Sequence, residues 1–268
     1  MIKSQCQGFI NTPPIWTGHR FDMQQFEFPT IDFDLFQPQP IPQNLRLGHQ
    51  MEYVFKQLVD ASKRYDITLY NLQIRNDEKT LGEIDFILFD HFTTKSIHVE
   101  LTCKFYIIDP DIVEPVQQLI GPNRRDSFVA KLNKIKNVQY ALLHSEAGIS
   151  ALDEVGLDHR DIEHQCCFKA QIFEPFHQRN ISIEPLNPAC ISGYWLRRND
   201  IKTSYFADAQ FYLPTKSEWV ITPHAKVNWQ SQSEVLPDID KALNAKKAPI
   251  VWMKKADLTF EKFFMVWW

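Results

Sequence analysis

The sequence predicts an α/β protein in which helices flank a mixed central sheet. The first observation is a helical spacing of apolar residues over residues 45–64. The second is a series of alternating, strand-like segments between residues 67 and 108, separated by short turns that indicate an antiparallel meander. The third is another helical pattern over residues 123–145, followed by a strand-like segment at residues 166–173. The predicted order is therefore helix, three strands, helix, strand.

Residues 1–44 are rich in Pro, Phe and Gln, as in FDLFQPQPIPQN. Proline fixes φ and removes a hydrogen-bond donor, so we expect no regular structure in this segment. The interleaved Phe and Ile residues predict an extended arm that packs on the body of the protein. Residues 45–175 are expected to form the core, and residues 176–268 a β-rich C-terminal extension that packs on the core as one globular unit.

The first helical segment has two neighbouring stripes at helical spacing. The main apolar stripe is Leu47, Met51, Val54 and Leu58. The neighbouring stripe contains Glu52, Phe55 and Val59, which places Glu52 at the edge of the buried face. Such a Glu is as readily a solvated helix edge as a functional residue. Gly48 is a weak helix former, so the helix is expected to begin after it.

The strand-like segments 82–89 and 96–108 contain charged residues between large apolar ones. Side chains alternate along a strand, so residues of one parity share a face. On one face of the later segment lie His98, Glu100, Thr102 and Lys104. In the earlier segment, Glu83, Asp85 and Ile87 share a face. If the two segments pair as a hairpin, Asp85 lies beside Glu100, with Lys104 along the same row.

Two neighbouring carboxylates in an apolar environment are costly, because burial and like charge both disfavour ionisation. A divalent cation resolves this cost, since Mg²⁺ takes carboxylate oxygens and keeps waters for a phosphate substrate. A lysine beside the metal can orient the attacking water. The alternative is an ordinary amphipathic hairpin, in which Glu100 and Lys104 belong to a solvated polar row.

Several segments carry a resemblance to a known family. The chain resembles the PD-(D/E)XK nuclease superfamily and, more closely, an uncharacterised bacterial family of unknown function placed in that superfamily. The resemblance implies a restriction-endonuclease-like core of order αβββαβ and covers most of residues 45–222. The segments that carry it are LGHQMEYVF, NLQIRNDEKTLGEIDFIL, HVELTCKFY and GPNRRDSFVAKL, with weaker support from GYWL and YLPTKSEWV.

The resemblance implies a set of site residues. Asp85 matches the motif aspartate, Glu100 the second carboxylate, and Glu52 the helix carboxylate that many superfamily members add. The usual E-x-K spacing would place lysine at position 102, which is Thr102 here. Lys104 follows on the same face, about 6–7 Å further along the strand. All three carboxylates are candidate ligands of Mg²⁺ or Mn²⁺.

Polar residues near this hairpin are candidates for nucleic-acid contacts. Gln73 of the neighbouring strand either hydrogen-bonds a metal-bound water or belongs to a polar strand face. Four basic residues at the start and along one side of the second predicted helix either contact phosphates or form a solvated helix face. They are Arg124, Arg125, Lys131 and Lys134.

The sequence therefore predicts a metal-dependent nuclease that hydrolyses phosphodiester bonds, with DNA more likely than RNA as its partner. The alternative is a catalytically degenerate nuclease-fold module that binds nucleic acid or a protein, which the displaced lysine and the net charge of −4 favour. The Trp-rich C-terminal segment is expected to dock on the core, or else to form a homodimer surface.

Other classes of protein have little support. The cysteine count is odd, with no C-x-x-C pair, which argues against a disulfide scaffold or a zinc ribbon. The spacing of His159 and His164 fits no standard zinc motif, and no G-x-S-x-G sequence indicates a serine hydrolase. The beginning MIKSQCQGFINTPP lacks the apolar segment of a signal peptide, and no apolar run of about 18 residues occurs. We therefore expect no membrane contact and a cytoplasmic location.

Overall fold

The computed structural model describes residues 1–42, 44–76 and 79–268. The predicted turn NDEKT lies partly outside the described residues, at positions 77 and 78. The helices are α1 (Ile2–Asn11), α2 (Leu47–Ser62), α3 (Phe128–Lys134), α4 (Tyr140–Leu143), α5 (Glu146–Asp153) and α6 (Gln232–Asn244). A π-helical stretch, Ile135–Gln139, joins α3 to α4 and is called the π segment below.

The strands form a mixed sheet with the order β3-β4-β5-β7-β8-β11-β10-β9, and β1, β2 and β6 pair beside this path. The pairs β3–β4 and β4–β5 are antiparallel, whereas β7–β8 and β8–β11 are parallel. The strands are β1 (His19–Arg20), β2 (Met23–Gln25), β3 (Tyr65–Asn76), β4 (Lys79–Asp90), β5 (Lys95–Ile108), β6 (Leu119–Ile120), β7 (Ile162–Pro175), β8 (Ile191–Arg197), β9 (Gln210–Tyr212), β10 (Ile250–Lys254) and β11 (Phe260–Val266).

The chain divides into two compact units that interleave along the sequence. The first unit consists of Met1–Lys104 and Ala130–Lys169. The second unit consists of Phe105–Val129 and Ala170–Trp268. All the carboxylates of the predicted site belong to the first unit.

Aromatic and aliphatic contacts hold the helices of the first unit on its strands. From α2, the Phe55 ring packs 4.5 Å from the ring of Phe86 on β4. Helices α4 and α5 contribute Leu142 and Leu152 to a buried cluster that includes Ile84 of β4. Burial of a large apolar side chain stabilises a fold by about 1.5–3 kcal/mol, so these contacts fix β4 firmly.

The second unit has its own core between α6 and the strands β8 to β11. The ring of Tyr194 on β8 stacks on Phe263 of β11 at 5.2 Å. The C-terminal segment is part of this unit, and its strand β11 pairs with both β8 and β10. The indole N–H of Trp268 donates to the carbonyl oxygen of Pro122 at 3.1 Å. The predicted docking of the Trp-rich segment on the body of the protein is thus observed within the second unit.

The predicted α/β class with a mixed sheet is confirmed. The predicted helices and strands occur in the order α2, β3, β4, β5, α3–α4 and β7, and the strands are longer than predicted by one to four residues at most ends. Helix α2 begins at Leu47, so Gly48 lies in its first turn rather than before it. Glycine destabilises a helix chiefly through backbone entropy when it lies in the middle of the helix, so Gly48 near the start is tolerated.

Three predictions about elements are wrong. The stretch before the first proline is a helix, α1, because its apolar residues recur at helical spacing and no proline interrupts it. The helix predicted over residues 123–145 begins only at Phe128 and contains the π segment. The sequence also predicts a short helix over residues 150–164 that is interrupted at Gly156; α5 ends at Asp153, shortly before this glycine with its left-handed φ of +75°, and the part predicted after Gly156 is not an α-helix.

The C-terminal extension, predicted as strands and loops, also contains helix α6. Among the described helices, none is both long enough and apolar enough to cross a bilayer.

Candidate active site

The carboxyl groups of Asp85 and Glu100 lie side by side on β4 and β5. The antiparallel register places Phe86 opposite Val99, and its next step brings Asp85 opposite Glu100. The two carboxyl groups are hydrogen-bonded to each other. The backbone N–H of Leu101 donates to Oδ2 of Asp85 at 2.9 Å. The structure therefore brings together the two carboxylates that strand alternation predicted on one face.

Burial raises the pKa of both carboxyl groups. Glu100 is 0% exposed, and Asp85 is half-buried. For Asp85, loss of hydration is the largest cause of the raised pKa, and the negative charge of Glu100 is the second. For Glu100, loss of hydration raises the pKa and the positive charge of Lys131 opposes it. The pair therefore retains a proton at pH values where ordinary carboxyl groups are ionised.

Both oxygens of Glu100 accept further hydrogen bonds. Nε2 of His98 lies 3.0 Å from Oε1. The side-chain amide of Gln139, at the end of the π segment, donates to Oε2. Burial lowers the pKa of His98 to about 3, so its imidazole is neutral and carries one N–H. These two contacts hold the Glu100 carboxyl group in one orientation.

The positive charge of Lys131 on α3 lowers the pKa of both carboxyl groups and acts more strongly on Glu100 than the charge of Lys134 does. The ammonium is half-buried and donates to Oε1 of Gln139 at 2.9 Å. Burial lowers the pKa of Lys131, and the negative charges of Glu100 and Asp85 oppose this effect. Gln139 thus contacts both the Lys131 ammonium and the Glu100 carboxyl group.

Lys104, the predicted motif lysine, lies further along β5 and is half-buried. Its positive charge contributes to the lowered pKa of Lys131, which places the two ammonium groups in the same region. At the position where E-x-K spacing would put lysine, Thr102 is buried, and its hydroxyl has no hydrogen-bond partner among the described residues. The two lysines of this region therefore come from β5, two residues beyond Thr102, and from α3.

Glu52 of α2 lies near the pair without joining it. The side chain is 16% exposed, and one of its oxygens lies 3.2 Å from Nδ1 of His49. The negative charge of Glu52 contributes to the raised pKa values of Asp85 and Glu83. Glu83 is half-buried on β4, two residues before Asp85, and burial is the main cause of its raised pKa. With Glu52 and Glu83, the site therefore contains more carboxyl groups than Asp85 and Glu100 alone.

Gln73 of β3 is exposed and lies opposite Glu83 in the β3–β4 ladder. Its Oε1 atom accepts a hydrogen bond from Nη2 of Arg75 at 2.8 Å. Asn71, also on β3, contacts both carboxylate oxygens of Glu83 when its amide nitrogen is the donor. These polar groups border the acidic cluster along the neighbouring strand.

A row of imidazoles leads from Glu100 toward the surface. Nδ1 of His98 lies 2.9 Å from Nδ1 of His164, and Nε2 of His164 lies 2.8 Å from Nε2 of His144. The row continues from Nδ1 of His144 to Nδ1 of His159 at 3.0 Å. A neutral imidazole has one donor and one acceptor nitrogen, so neutral rings in such a row share one hydrogen-bond direction, and the tautomers decide which of the two directions it is.

The basic residues predicted to contact nucleic acid separate into two groups. Lys134 is exposed on α3 of the first unit, near Lys131, and its charge reaches Glu100. Arg124 and Arg125 belong to the second unit and precede α3, so their predicted place on that helix is wrong. Helix formation starts only after these arginines, because Arg124 adopts a left-handed φ of +56° in a turn.

Arg124 has contacts of its own within the second unit. Nη2 of Arg124 donates to Oδ2 of Asp109. The guanidinium group also lies 4.0 Å from the ring centre of Trp268. These contacts hold the C-terminal residue in place.

Sequence reasoning missed Gln139 and the histidine row as parts of the site. Gln139 did carry a signal in the sequence. It continues the spacing of the apolar residues Phe128, Leu132 and Ile135, which places a polar side chain on the inward-facing side of the predicted helix. His98 also shares the strand face of Glu100. Neither pattern identifies the residues that Gln139 and His98 contact.

A family model described as "Domain of unknown function (DUF1853)" matches residues 27–261. The chain belongs to the DUF1853 family. No curated protein and no solved structure matches the chain. The predicted membership of a family of unknown function is therefore confirmed, whereas the PD-(D/E)XK assignment stays a prediction. The carboxyl pair, Lys131 and Gln139 all fall within the DUF1853 match.

The site offers two carboxylates rather than three or more metal ligands, and such a pair suits a hard divalent cation such as Mg²⁺. Within the described residues, no group of three or more His, Cys, Asp or Glu side chains is arranged to hold a metal ion. Mg²⁺, however, is commonly held by one or two carboxylates, with waters and substrate phosphates completing its shell. Asp85 and Glu100 meet that requirement, and a cation between them would remove their mutual repulsion. Glu52 is directed to His49 instead.

Proposed function

We propose that this chain is a metal-dependent nuclease that hydrolyses phosphodiester bonds in DNA at the Asp85–Glu100 pair. The observation that carries the proposal is a pair of adjacent carboxyl groups, Glu100 buried and Asp85 half-buried, whose raised pKa values are opposed by the positive charge of the half-buried Lys131. Buried like charges cost stability, and perturbed groups of this kind cluster at functional sites.

The order of elements supports the same proposal. Helix α2, the meander β3–β4–β5, the helical stretch α3–α4 and strand β7 follow one another along the chain. This is the αβββαβ order of the PD-(D/E)XK superfamily. Under the proposal the core is restriction-endonuclease-like, with Asp85 on the second strand and Glu100 on the third.

Mg²⁺ or Mn²⁺, when bound, would supply Lewis-acid stabilisation of the charge that develops on the phosphate. Asp85 and Glu100 would hold it. Lys131 has a lowered pKa and can orient the attacking water or take its proton, while Lys104 and Lys134 attract the DNA backbone.

Calorimetric titration with Mn²⁺ is the first test, on the wild-type chain and on the double variant Asp85→Asn/Glu100→Gln. The matched control is Asp66→Asn/Glu163→Gln, which removes two exposed carboxylates from the same unit. We expect Mn²⁺ binding to disappear only in the first double variant. Cleavage of plasmid DNA with Mg²⁺ should fall by at least about a hundredfold in that variant. Cleavage that persists in it would exclude this site.

Two observations favour a second candidate function. The described residues form no three-ligand metal group, and the E-x-K lysine is replaced by Thr102. This arrangement favours a non-catalytic module that binds nucleic acid through Lys131 and Lys134. Such a module would bind a fluorescent DNA without added metal, show strong salt dependence, and give no Mn²⁺ heat signal.

A further inference from the structure

The side chain of Gln139 is the point at which the oppositely charged groups of the site meet. Its Oε1 atom accepts from the Lys131 ammonium at 2.9 Å, and its Nε2 atom donates to Oε2 of Glu100. A glutamine amide offers one acceptor and two donor hydrogens without a charge of its own. It can therefore bridge an ammonium and a carboxyl group, which neither a carboxylate nor an apolar side chain of the same size can do.

The π segment explains how Gln139 reaches this position. In an uninterrupted α-helix of about 3.6 residues per turn, Gln139 would be rotated by about 80° from Lys131. The extra residue of a π turn takes up about 100° of rotation, which brings Gln139 to within about 20° of the direction of Lys131. The π segment spans Ile135–Gln139, so it begins after Lys131 and ends at Gln139 itself. Segments of this kind are frequent at functional sites.

The contact is also unusual for residues on one helix. Ordinary side-chain pairs on a helix are three or four residues apart. Lys131 and Gln139 are eight residues apart, which corresponds to about 12 Å of regular α-helix. The pair forms because the π segment shortens and turns this stretch, so the geometry is specific to the local backbone.

We propose that Gln139 is a positioning residue, placed by the π segment, that fixes the Glu100 carboxyl group relative to the Lys131 ammonium and prepares Glu100 to hold a divalent cation. The inference rests on the proposed function for the role of the cation, but the bridge itself does not depend on it. Groups that hold a metal-binding carboxylate in place typically change metal affinity ten- to a hundredfold when they are removed.

Gln139→Met keeps the length of the side chain and removes both hydrogen bonds. We expect the Mn²⁺ dissociation constant, from calorimetry and from the loss of the free Mn²⁺ signal in electron paramagnetic resonance, to rise by about ten- to a hundredfold. The control is Asn137→Met, at an exposed position of the same π segment, which should bind Mn²⁺ like the wild type. Gln139→Asn is one methylene shorter and should show the same loss if the Met variant does not fold.

A double-mutant cycle tests the bridge without any metal. Gln139→Met and Lys131→Met are combined, and unfolding by urea is measured in the presence of a chelator. We expect the effects on the unfolding equilibrium constant to be non-additive by at least about fivefold. Unchanged Mn²⁺ affinity in Gln139→Met, in a wild type that does bind Mn²⁺, overturns the inference, and so does an additive cycle. A wild type that binds no Mn²⁺ but gives a non-additive cycle refutes the proposed nuclease and leaves Gln139 as the positioning residue of the Glu100–Lys131 pair.

Discussion

Strand β4 carries two aspartates in apolar surroundings whose electrostatic environments are opposite. Asp90 is 1% exposed and accepts from Nε and Nη2 of Arg64 at 3.0 and 2.8 Å. The N–H of Phe92 and the hydroxyl of Thr93 add two more hydrogen bonds. The Arg64 contact is the largest cause that lowers the pKa of Asp90, which falls to about 2. Asp85 has another carboxyl group beside it, and its pKa is raised.

This comparison shows that burial alone does not decide whether the pKa of a carboxyl group is raised or lowered. A buried carboxylate that meets a guanidinium in bidentate geometry stabilises the fold, because its charge is compensated by hydrogen bonds. A buried carboxyl group beside another one destabilises the ionised fold unless a cation joins the pair. We therefore assign Asp90 to the scaffold and Asp85 to the site, although both interrupt apolar residues in the same segment, GEIDFILFD.

The largest difference should appear in the free energy of unfolding. Asp90→Ala leaves Arg64 and two further donors without their acceptor, and we expect a loss of about 2–3 kcal/mol, since Arg64 is partly exposed and can be rehydrated. Asp85→Asn replaces a carboxyl group whose ionisation is disfavoured by burial and by Glu100, and it should leave the stability unchanged or raise it. Urea unfolding at pH 7 with a chelator measures both. Equal losses in the two variants would contradict the comparison.

The pH dependence of stability should have opposite signs for the two aspartates. The pKa of Asp85, which faces Glu100, Glu52 and Lys131, is raised in the folded state, so the folded protein binds more protons than the unfolded chain. The stability from this pair is present below the ordinary carboxyl pKa of about 4 and is lost as the pH rises through the raised values. The stability from Asp90 is present above about 4 and is lost as the pH falls toward its folded pKa of about 2.

Unfolding measured from pH 5 to pH 9 without metal checks the first sign. We expect Asp85→Asn/Glu100→Gln to gain about 2 kcal/mol relative to the wild type over this range, because it lacks the two titrating groups. The difference between the wild type and Asp90→Ala should instead shrink as the pH is lowered from 4 to 2. A wild type and a double variant with parallel pH profiles would show that the pair is not coupled to folding.

The two lysines of the site should also differ in effect. Lys131 is held by Gln139 and its charge reaches both carboxyl groups, whereas Lys104 lies beyond the motif position on β5. Under the proposed nuclease function, we expect Lys131→Met to lower the rate of DNA cleavage at saturating Mg²⁺ by about tenfold or more, and Lys104→Met by about two- to fivefold. Single-turnover cleavage separates this effect from substrate binding. A larger loss of cleavage rate in Lys104→Met than in Lys131→Met would instead support Lys104 of β5 as the motif lysine.

Much of this arrangement could be predicted from the sequence. Apolar periodicity gave α2 and the three strands of the meander, and the alternation of side chains placed Asp85 beside Glu100. Helix α1 was missed because the Pro-rich composition of the first 44 residues dominated the prediction for a shorter segment that contains no proline. The π segment was also missed, since a single extra residue in one turn leaves the spacing of threes and fours almost unchanged.

The partners of the charged groups could not be predicted, because they depend on contacts between distant parts of the chain. Gln139 is 39 residues from Glu100, and His164 is 66 residues from His98. The same limit applies to Asp85 and Asp90, which look alike in the sequence. Only the fold shows that Arg64 pairs with Asp90 and that no guanidinium among the described contacts pairs with Asp85.

The smallest expected effect concerns Lys134, which is exposed on α3. Its charge contributes to the pKa of Glu100 only after that of Lys131, so it acts from a greater electrostatic distance. If it contacts a DNA phosphate, Lys134→Met should weaken DNA binding by about two- to fivefold and reduce the slope of log affinity against log salt by about one. Lys56→Met on α2 removes the same charge from a helix position paired with Asp60, and serves as the control. Because a phosphate contact releases one counterion and a general change in net charge does not, a lower slope in Lys134→Met alone would place the DNA backbone along α3. Equal slopes in both variants would show that Lys134 contributes only to the overall field, and the substrate path would then have to be sought beside Lys104.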